Sequence, residues 1–283
     1  MRVGEMVREA ELALAAAAVA SPRVDAELLT AHVLGVARGR LAVAPDPTVA
    51  QLVTFRELVA RRASRVPLQH LTGRAPFRHL ELAVGPGVFV PRPETELLVS
   101  WGLAWLRGCV SPIVVDLCAG SGAIALSVEA ELSGSQVYAV ELAPEALHWL
   151  RRNTSGTAVQ IVEGDVLDGD TLSDLDGKAD LVLCNPPYVP EGAPGDAVLP
   201  PEVTEHDPPE AVFAGPDGLA VIRPLVGRVA RLLRPGGAFG VEHDSGHADE
   251  VSALLSADGS FTDVQVHDDL AGRPRFATAR RAG

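Results

Sequence analysis

From residue 113 onward the chain repeats one unit, a short apolar run followed by a stretch of helix length. The runs at 113–117, 137–141, 159–163, 181–184 and 238–242 are too short for helices of their own, and polar or glycine-bearing segments separate them. Such alternation produces parallel strands joined by helical crossovers, because each strand must return to the same sheet edge and each helix must bury its apolar stripe on a sheet face. Two further runs, 261–267 and 275–279, are joined by a short loop containing Gly272 and Pro274, which predicts an antiparallel hairpin at one edge. The expectation is an α/β domain with a mainly parallel sheet of about seven strands.

The first 75 residues have a different period. Ser21 and Pro22 form a cap and first-turn pair, Val24, Leu28, Leu29, Ala31 and Val33 make an apolar stripe, and Gly35 supplies a stop. A second helix is predicted from about Thr48, with Val49, Leu52, Val53, Leu58 and Val59 at helical spacing. Arg61, Arg62 and Arg65 decorate its last turn, where cations suit the dipole. Then Leu80, Leu82 and Val84 alternate with polar or small residues. Gly85-Pro86-Gly87 reads as a turn and residues 88–90 as the returning strand. The predicted organisation is a helical domain at 1–75, a β-hairpin linker at 76–92 and the sheet domain at 93–283.

Charge follows the same division. The chain carries net −13, with ten Arg against seven acidic residues in positions 1–75, so the first stretch is +3 and the remainder −16. A domain of that sign repels a phosphate backbone. Cys109, Cys118 and Cys184 lack the paired spacing of a zinc site or disulfide framework, which predicts no bound metal and free thiols in a reducing compartment such as the cytoplasm. The apolar residues 12–20 are too few to span a membrane and follow Glu5, Glu9 and Glu11, the wrong flank for a signal peptide.

Two segments carry chemistry. Val114, Val115, Asp116, Leu117, Cys118, Ala119, Gly120, Ser121 and Gly122 spell a strand ending in an acid, a glycine turn and a helix beginning near Ala123. The glycines serve any tight strand-to-helix turn, and they also let backbone pass close to a ligand. Glu141 ends the next strand about 20 residues on, where an acid accepts the hydroxyls of a ribose. Asp116 is unsuited to a pyrophosphate, whereas an adenosine with a cationic tail fits, and S-adenosylmethionine is such a molecule. Asp165, after the third strand, is placed either to meet an adenine amino group or to make a strand-end turn.

Asn185, Pro186, Pro187 and Tyr188 follow the apolar strand 181–184, at the end where open α/β sheets bind ligands. The prolines stiffen the loop and leave its carbonyls free. A planar NH₂ is a poor nucleophile; the Asn185 side-chain oxygen and the Pro186 carbonyl suit its two hydrogens, and Tyr188 suits its flat face. Glu242-His243 at a strand end is read as structural; residues 91–96 at a helix start are explained by structure alone and are also placed to border a cofactor, and neither segment is assigned a catalytic role.

At these residues the chain resembles the HemK or PrmC family, the protein-(glutamine-N5) methyltransferases of class 1 peptide chain release factors. The resemblance runs through 67–73, 89–96, the loop from Asp116 to Ala123, Asn185 to Tyr188, and Glu242-His243. It implies a helical release-factor-binding domain, a class I S-adenosylmethionine-dependent methyltransferase domain, and methylation of the Gln in a Gly-Gly-Gln loop. The implied cofactor contacts are Cys118, Ala119, Gly120, Ser121, Gly122, Glu141, Val166 and Asn185. The implied substrate contacts are Asn185, Pro186, Pro187 and Tyr188. Cys118 stands where the family often has glycine, Glu141 where some members have Asp, and Val166 where some carry an aromatic. Two other readings share the Asn-Pro-Pro-Tyr loop: an adenine-N6 methyltransferase acting on DNA or RNA, since that NH₂ is also flat, and a methyltransferase-like scaffold without catalysis.

Overall fold

The computed structural model describes residues 1–192 and 199–283, which form two compact units. The first comprises Met1–Arg74 and a later segment, Leu199–His206; the second comprises Ala75–Val198 and Asp207–Gly283.

The first unit is helical: α1 (Val3–Ala16), α2 (Pro22–Leu34), α3 (Val49–Ala63) and the short α4 (Leu68–Thr72). Met6, Val7, Leu14, Leu29, Phe55, Leu58 and Leu71 fill its core, and each such side chain contributes about 1.5–3 kcal/mol by leaving water. Helix α2 starts at Pro22 and ends against Gly35 at φ +66°, as the stop residue predicts. Ser21 makes no side-chain cap; proline at the first position has no N–H to satisfy, and its fixed φ already suits the helix. Thr48 does cap α3, its hydroxyl accepting from the Gln51 amide at 3.2 Å while Gln51 returns a bond to Thr48.

Arg62 and Arg65 do more than complement the helix dipole. Arg62 is buried, with Nε donating to Asp25 at 2.7 Å and Nη2 paired with Glu202 at 2.7 Å. Arg65 pairs with the same Glu202, which sits on the short helix Pro201–His206.

In the second unit β1 (Arg74–Phe77) and β2 (Leu80–Ala83) form a two-stranded ribbon, and seven strands form the main sheet. These are β3 (Ile113–Leu117), β4 (Gln136–Glu141), β5 (Gln160–Glu163), β6 (Ala179–Cys184), β7 (Leu233–Glu242), β8 (Phe261–Asp268) and β9 (Pro274–Arg281). Their order is β5-β4-β3-β6-β7-β9-β8, with β9 antiparallel to both its neighbours and the remaining pairs parallel. The chain therefore builds outward from β3 in one direction and crosses back to β6 in the other, which opens a crevice at the carboxyl ends of β3 and β6. Register makes those ends level: Leu117 lies opposite Val140 and Cys184, and Cys184 opposite Val241.

Each face of this sheet is covered. Leu98 and Val99 from α5 (Thr95–Trp105), Leu126 from α6 (Ala123–Glu131), and Leu147 and Leu150 from α7 (Pro144–Asn153) pack with Leu181 and Leu183 on one side. Leu225, Val229 and Leu255 pack with Val115, Leu117 and Phe239 on the other.

The ribbon forms earlier than the alternation predicts. Its strands end at Phe77 and restart at Leu80, so Arg78 and His79 make the turn, with Arg78 at φ +51°. No glycine or asparagine marks it. Arg78 is held there by its amide to the Glu96 carboxylate at 3.0 Å and its guanidinium to Glu131 and Ser100. Gly85 and Gly87 serve close packing: a Cβ on Gly85 would lie 2.4 Å from the Trp149 ring, and one on Gly87 2.6 Å from Glu145. Residues 88–90 form no strand.

Candidate active site

The loop leaving β3 is built on left-handed backbone, with Cys118 at φ +61°, Gly120 at +56° and Gly122 at +87°. Ala119 N donates to the Val140 carbonyl at 2.9 Å, and Gly122 N to the Ala119 carbonyl at 2.8 Å, so the loop folds onto the end of β4 before α6 begins. A side chain at Gly122 would collide with Leu150, its Cβ only 2.8 Å away. Cys118 adopts the same conformation without glycine's freedom, at a cost of about 1–2 kcal/mol. Asn153 clips the loop in place, its Nδ2 donating to the carbonyls of Ser121 and Ala83 at 2.9 Å each.

Asp116 is fully buried directly before this turn. Its Oδ2 accepts from Ala125 N at 2.9 Å, and its Oδ1 has no partner. Burial, with Glu141 adding repulsion and the Ala125 bond opposing both, pushes the carboxyl up to about 8. An orphaned, buried acid oxygen is costly unless a donor or a cation meets it.

Glu141 ends β4 and reaches back to the glycine loop: Oε2 accepts from Gly120 N at 2.8 Å, and Oε1 from Leu142 N and Ala143 N at 2.8 and 2.9 Å. A carboxylate has about four lone-pair sites. Three are used, which leaves room for one further donor; a second requires one backbone bond to yield. Asp165, just after β5, is exposed, with Oδ1 accepting from Leu167 N at 2.9 Å in a turn. Val166 is buried in the core with Leu117, Val140 and Cys184.

The Asn-Pro-Pro-Tyr segment continues β6 at the level of Cys118. Asn185 and Tyr188 are half-buried, Pro186 buried and Pro187 half-buried. Asn185 Nδ2 donates to Thr95 Oγ1 at 3.3 Å, Thr95 Oγ1 donates to Glu242 Oε2 at 2.7 Å, and Tyr188 Oη donates to Glu242 Oε1 at 2.9 Å. Glu242 is 1% exposed; burial raises its pKa, while the bonds from Thr95 and Tyr188 and the charge of Arg275 pull it back. Burial and Glu242 together keep the Tyr188 phenol protonated well beyond its ordinary range, so it is a donor and not a base. Beyond Tyr188 the chain is strapped to a neighbouring segment, with Val189 N donating to Val212 O and Ala214 N to Val189 O, each at 2.9 Å. Gly218, at φ +72°, abuts the Tyr188 carbonyl, and a Cβ there would sit 2.5 Å from that oxygen.

The crevice thus gathers Asp116, the loop from Cys118 to Gly122, Glu141 and, on the adjacent strand end, Asn185 to Tyr188. Thr95 and Glu242 escape the sequence reading because a proline-and-acid helix start and an acid at a strand end are each sufficient as structure. Among the described residues no three His, Cys, Asp or Glu side chains are arranged to hold a metal ion, and no helix is long and apolar enough to cross a membrane.

Two family models match the chain: the PrmC N-terminal domain over residues 5–73 and the methyltransferase small domain over residues 95–199. The release factor glutamine methyltransferase of Mycolicibacterium smegmatis is 51% identical over 280 residues, 99% of this chain and 98% of its own. Its namesake in Streptomyces coelicolor is 49% identical, covering 98% of this chain and 97% of its own. That of Mycobacterium tuberculosis is 45% identical, covering 100% and 93%.

Proposed function

Because the chain belongs to the release factor glutamine methyltransferase family, we propose that Asn185 and Pro186 hold the side-chain amide of the Gln in a Gly-Gly-Gln loop of class 1 peptide chain release factors. The fold is that of the class I methyltransferases, and the protein is an S-adenosylmethionine-dependent enzyme that methylates a release factor glutamine. The bound cofactor supplies an electrophilic methyl group on a sulfonium centre.

Asp116 and Glu141 suit that cofactor. The unpartnered Oδ1 of Asp116 takes the ammonium or its water shell, and Glu141 takes the ribose beside the glycine loop. Asp165 contributes to the adenine through its remaining oxygen, and Val166 forms part of the apolar floor. Cys118, Ala119, Ser121 and Gly122 present backbone to the methionine end.

The observation that carries the substrate assignment is the bond from Asn185 Nδ2 to Thr95, which leaves Oδ1 free to accept. With Oδ1 and the Pro186 carbonyl each accepting one N–H, the glutamine nitrogen is held in one orientation. The two acceptors also stabilise the positive charge that grows on the nitrogen as its bond to the methyl carbon forms. No titrating residue is needed to begin, because the proton becomes acidic only after the methyl has arrived. Pro187 stiffens the loop and Tyr188 packs on the flat amide.

Residues 1–75 are the release-factor-docking module in this reading, supported by their +3 charge beside the −16 remainder and by the family model over residues 5–73. The same −16 disfavours DNA or RNA as substrate, and the free cysteines suit the cytoplasm. The test is transfer of radiolabelled methyl to a Gly-Gly-Gln release factor, to the same protein with that Gln replaced, and to nucleic acid. Label on the first alone is the expected result; label on either of the others overturns the substrate.

A further inference from the structure

An amide side chain has two ends of nearly equal size, one accepting and one donating, and only the accepting end of Asn185 is useful to an incoming NH₂. We propose that Glu242, acting through the Thr95 hydroxyl, is a positioning residue that fixes which end of the Asn185 amide faces the substrate. The inference rests on the reading of Asn185 given above and adds to it the groups that set its orientation.

The argument is a count of protons. Thr95 has one hydroxyl proton and two lone pairs. Its Oγ1 lies 2.7 Å from Glu242 Oε2, and a carboxylate accepts only, so the proton points to Glu242. Toward Asn185, 3.3 Å away, Thr95 then offers a lone pair, which only the Nδ2 end satisfies. Oδ1 is turned the other way. Tyr188 spends its single proton on Oε1 of the same carboxylate at 2.9 Å, so both hydroxyls that flank the loop are polarised by one group.

A neutral residue in place of Glu242 no longer fixes this. A glutamine there accepts from one hydroxyl and donates to the other. If it donates to Thr95, the Thr95 proton is released toward Asn185, and the oxygen end of the amide turns to meet it. The substrate NH₂ would then face an NH₂. Glu242 and Thr95 are 1% and 3% exposed, so water does not substitute for either bond. Arg275, close to both Glu242 and Tyr188, balances the charge that the carboxylate carries out of solvent.

The contact of Glu242 with Thr95 also joins β7 to the start of α5, so a purely structural role must be separated from a positioning one. The experiment measures kcat, the KM for release factor and the cofactor Kd of the full chain for Thr95→Ser, Thr95→Val, Glu242→Gln and Asn185→Ala. Thr95→Ser keeps the hydroxyl and should hold kcat within about twofold. Thr95→Val and Glu242→Gln should each lower kcat about tenfold or more, with KM and cofactor Kd nearly unchanged. Thr95→Ala removes the same hydroxyl and replaces the valine variant if that one does not fold. Full kcat in Thr95→Val or in Glu242→Gln, or a loss in Thr95→Ser equal to that in Thr95→Val, overturns the proposal while a low kcat in Asn185→Ala leaves the Asn185 reading standing. Full kcat in Asn185→Ala removes both.

Discussion

Arg65 and Glu202, 137 residues apart in the chain, form a two-pronged ion pair, Nε to Oε1 at 2.9 Å and Nη2 to Oε2 at 2.6 Å. Arg62 shares the same carboxylate. Burial works to raise Glu202, but Arg65 and Arg62 override it and hold the group at about 2, below its ordinary 4.5. A depressed carboxylate contributes stability that is present above its unfolded pKa and lost as pH falls through the folded one. Glu202→Gln should therefore destabilise by about 2 kcal/mol at pH 7. In denaturant titrations at several pH values, the gap to the parent should shrink below pH 4.5 and close near pH 2.

Asp116 has the opposite sign. Its pKa rises from 3.8 to about 8 on folding, so the folded state binds the extra proton and stability falls as pH climbs through that window. Asp116→Asn, which mimics the protonated acid, should nearly match the parent near pH 4 and exceed it by about 5 kcal/mol at pH 8 in the absence of cofactor. Parallel stability curves for the two proteins would show that the buried carboxyl is not the group titrating.

Cofactor affinity should depend on Glu141. Removing it in Glu141→Ala deletes the acceptor proposed for a ribose hydroxyl and also frees the amides of Gly120, Leu142 and Ala143. Calorimetry should show binding of S-adenosylmethionine weakened at least about tenfold. Unchanged affinity would move the ribose elsewhere.

Asn185→Ala tests the acceptor role directly. Loss of a preorganised hydrogen-bond partner for a developing charge should lower turnover about a hundredfold, with a smaller change in cofactor affinity. Equal losses in turnover and cofactor binding would assign Asn185 to binding alone.

Gly218 lies outside every motif, yet a Cβ there meets the Tyr188 carbonyl at 2.5 Å and His247 at 2.7 Å, and its φ is +72°. Gly218→Ala must displace the loop carrying Tyr188 or strain its own backbone. Turnover should fall by about tenfold, since small shifts of a positioned group are costly, while melting temperature drops by a few degrees at most. An alanine variant with full turnover would mean that the loop yields without disturbing the amide site.

The order of helices and sheet strands after residue 113 is legible in the chain because burial alternates locally: an apolar run of five residues between polar stretches has few ways to hide. The glycine turn and the Asn-Pro-Pro-Tyr loop are legible for the same reason, since their chemistry lies in consecutive residues. The ribbon turn at Arg78-His79 is not, because what holds Arg78 at φ +51° is contact with Glu96, Ser100 and Glu131 and no turn-forming residue.

By itself the sequence determined an α/β sheet preceded by helices, an acid and glycines at one strand end, and an amide acceptor loop at another. Only the tertiary structure decided that Thr95 and Glu242 stand behind Asn185, that Glu202 returns to the two arginines of the helical unit, and that Gly218 presses on Tyr188. Each of these contacts joins residues far apart in the chain. Their hydrogen bonds and close approaches depend on packing and strand register, which no local pattern of residues encodes.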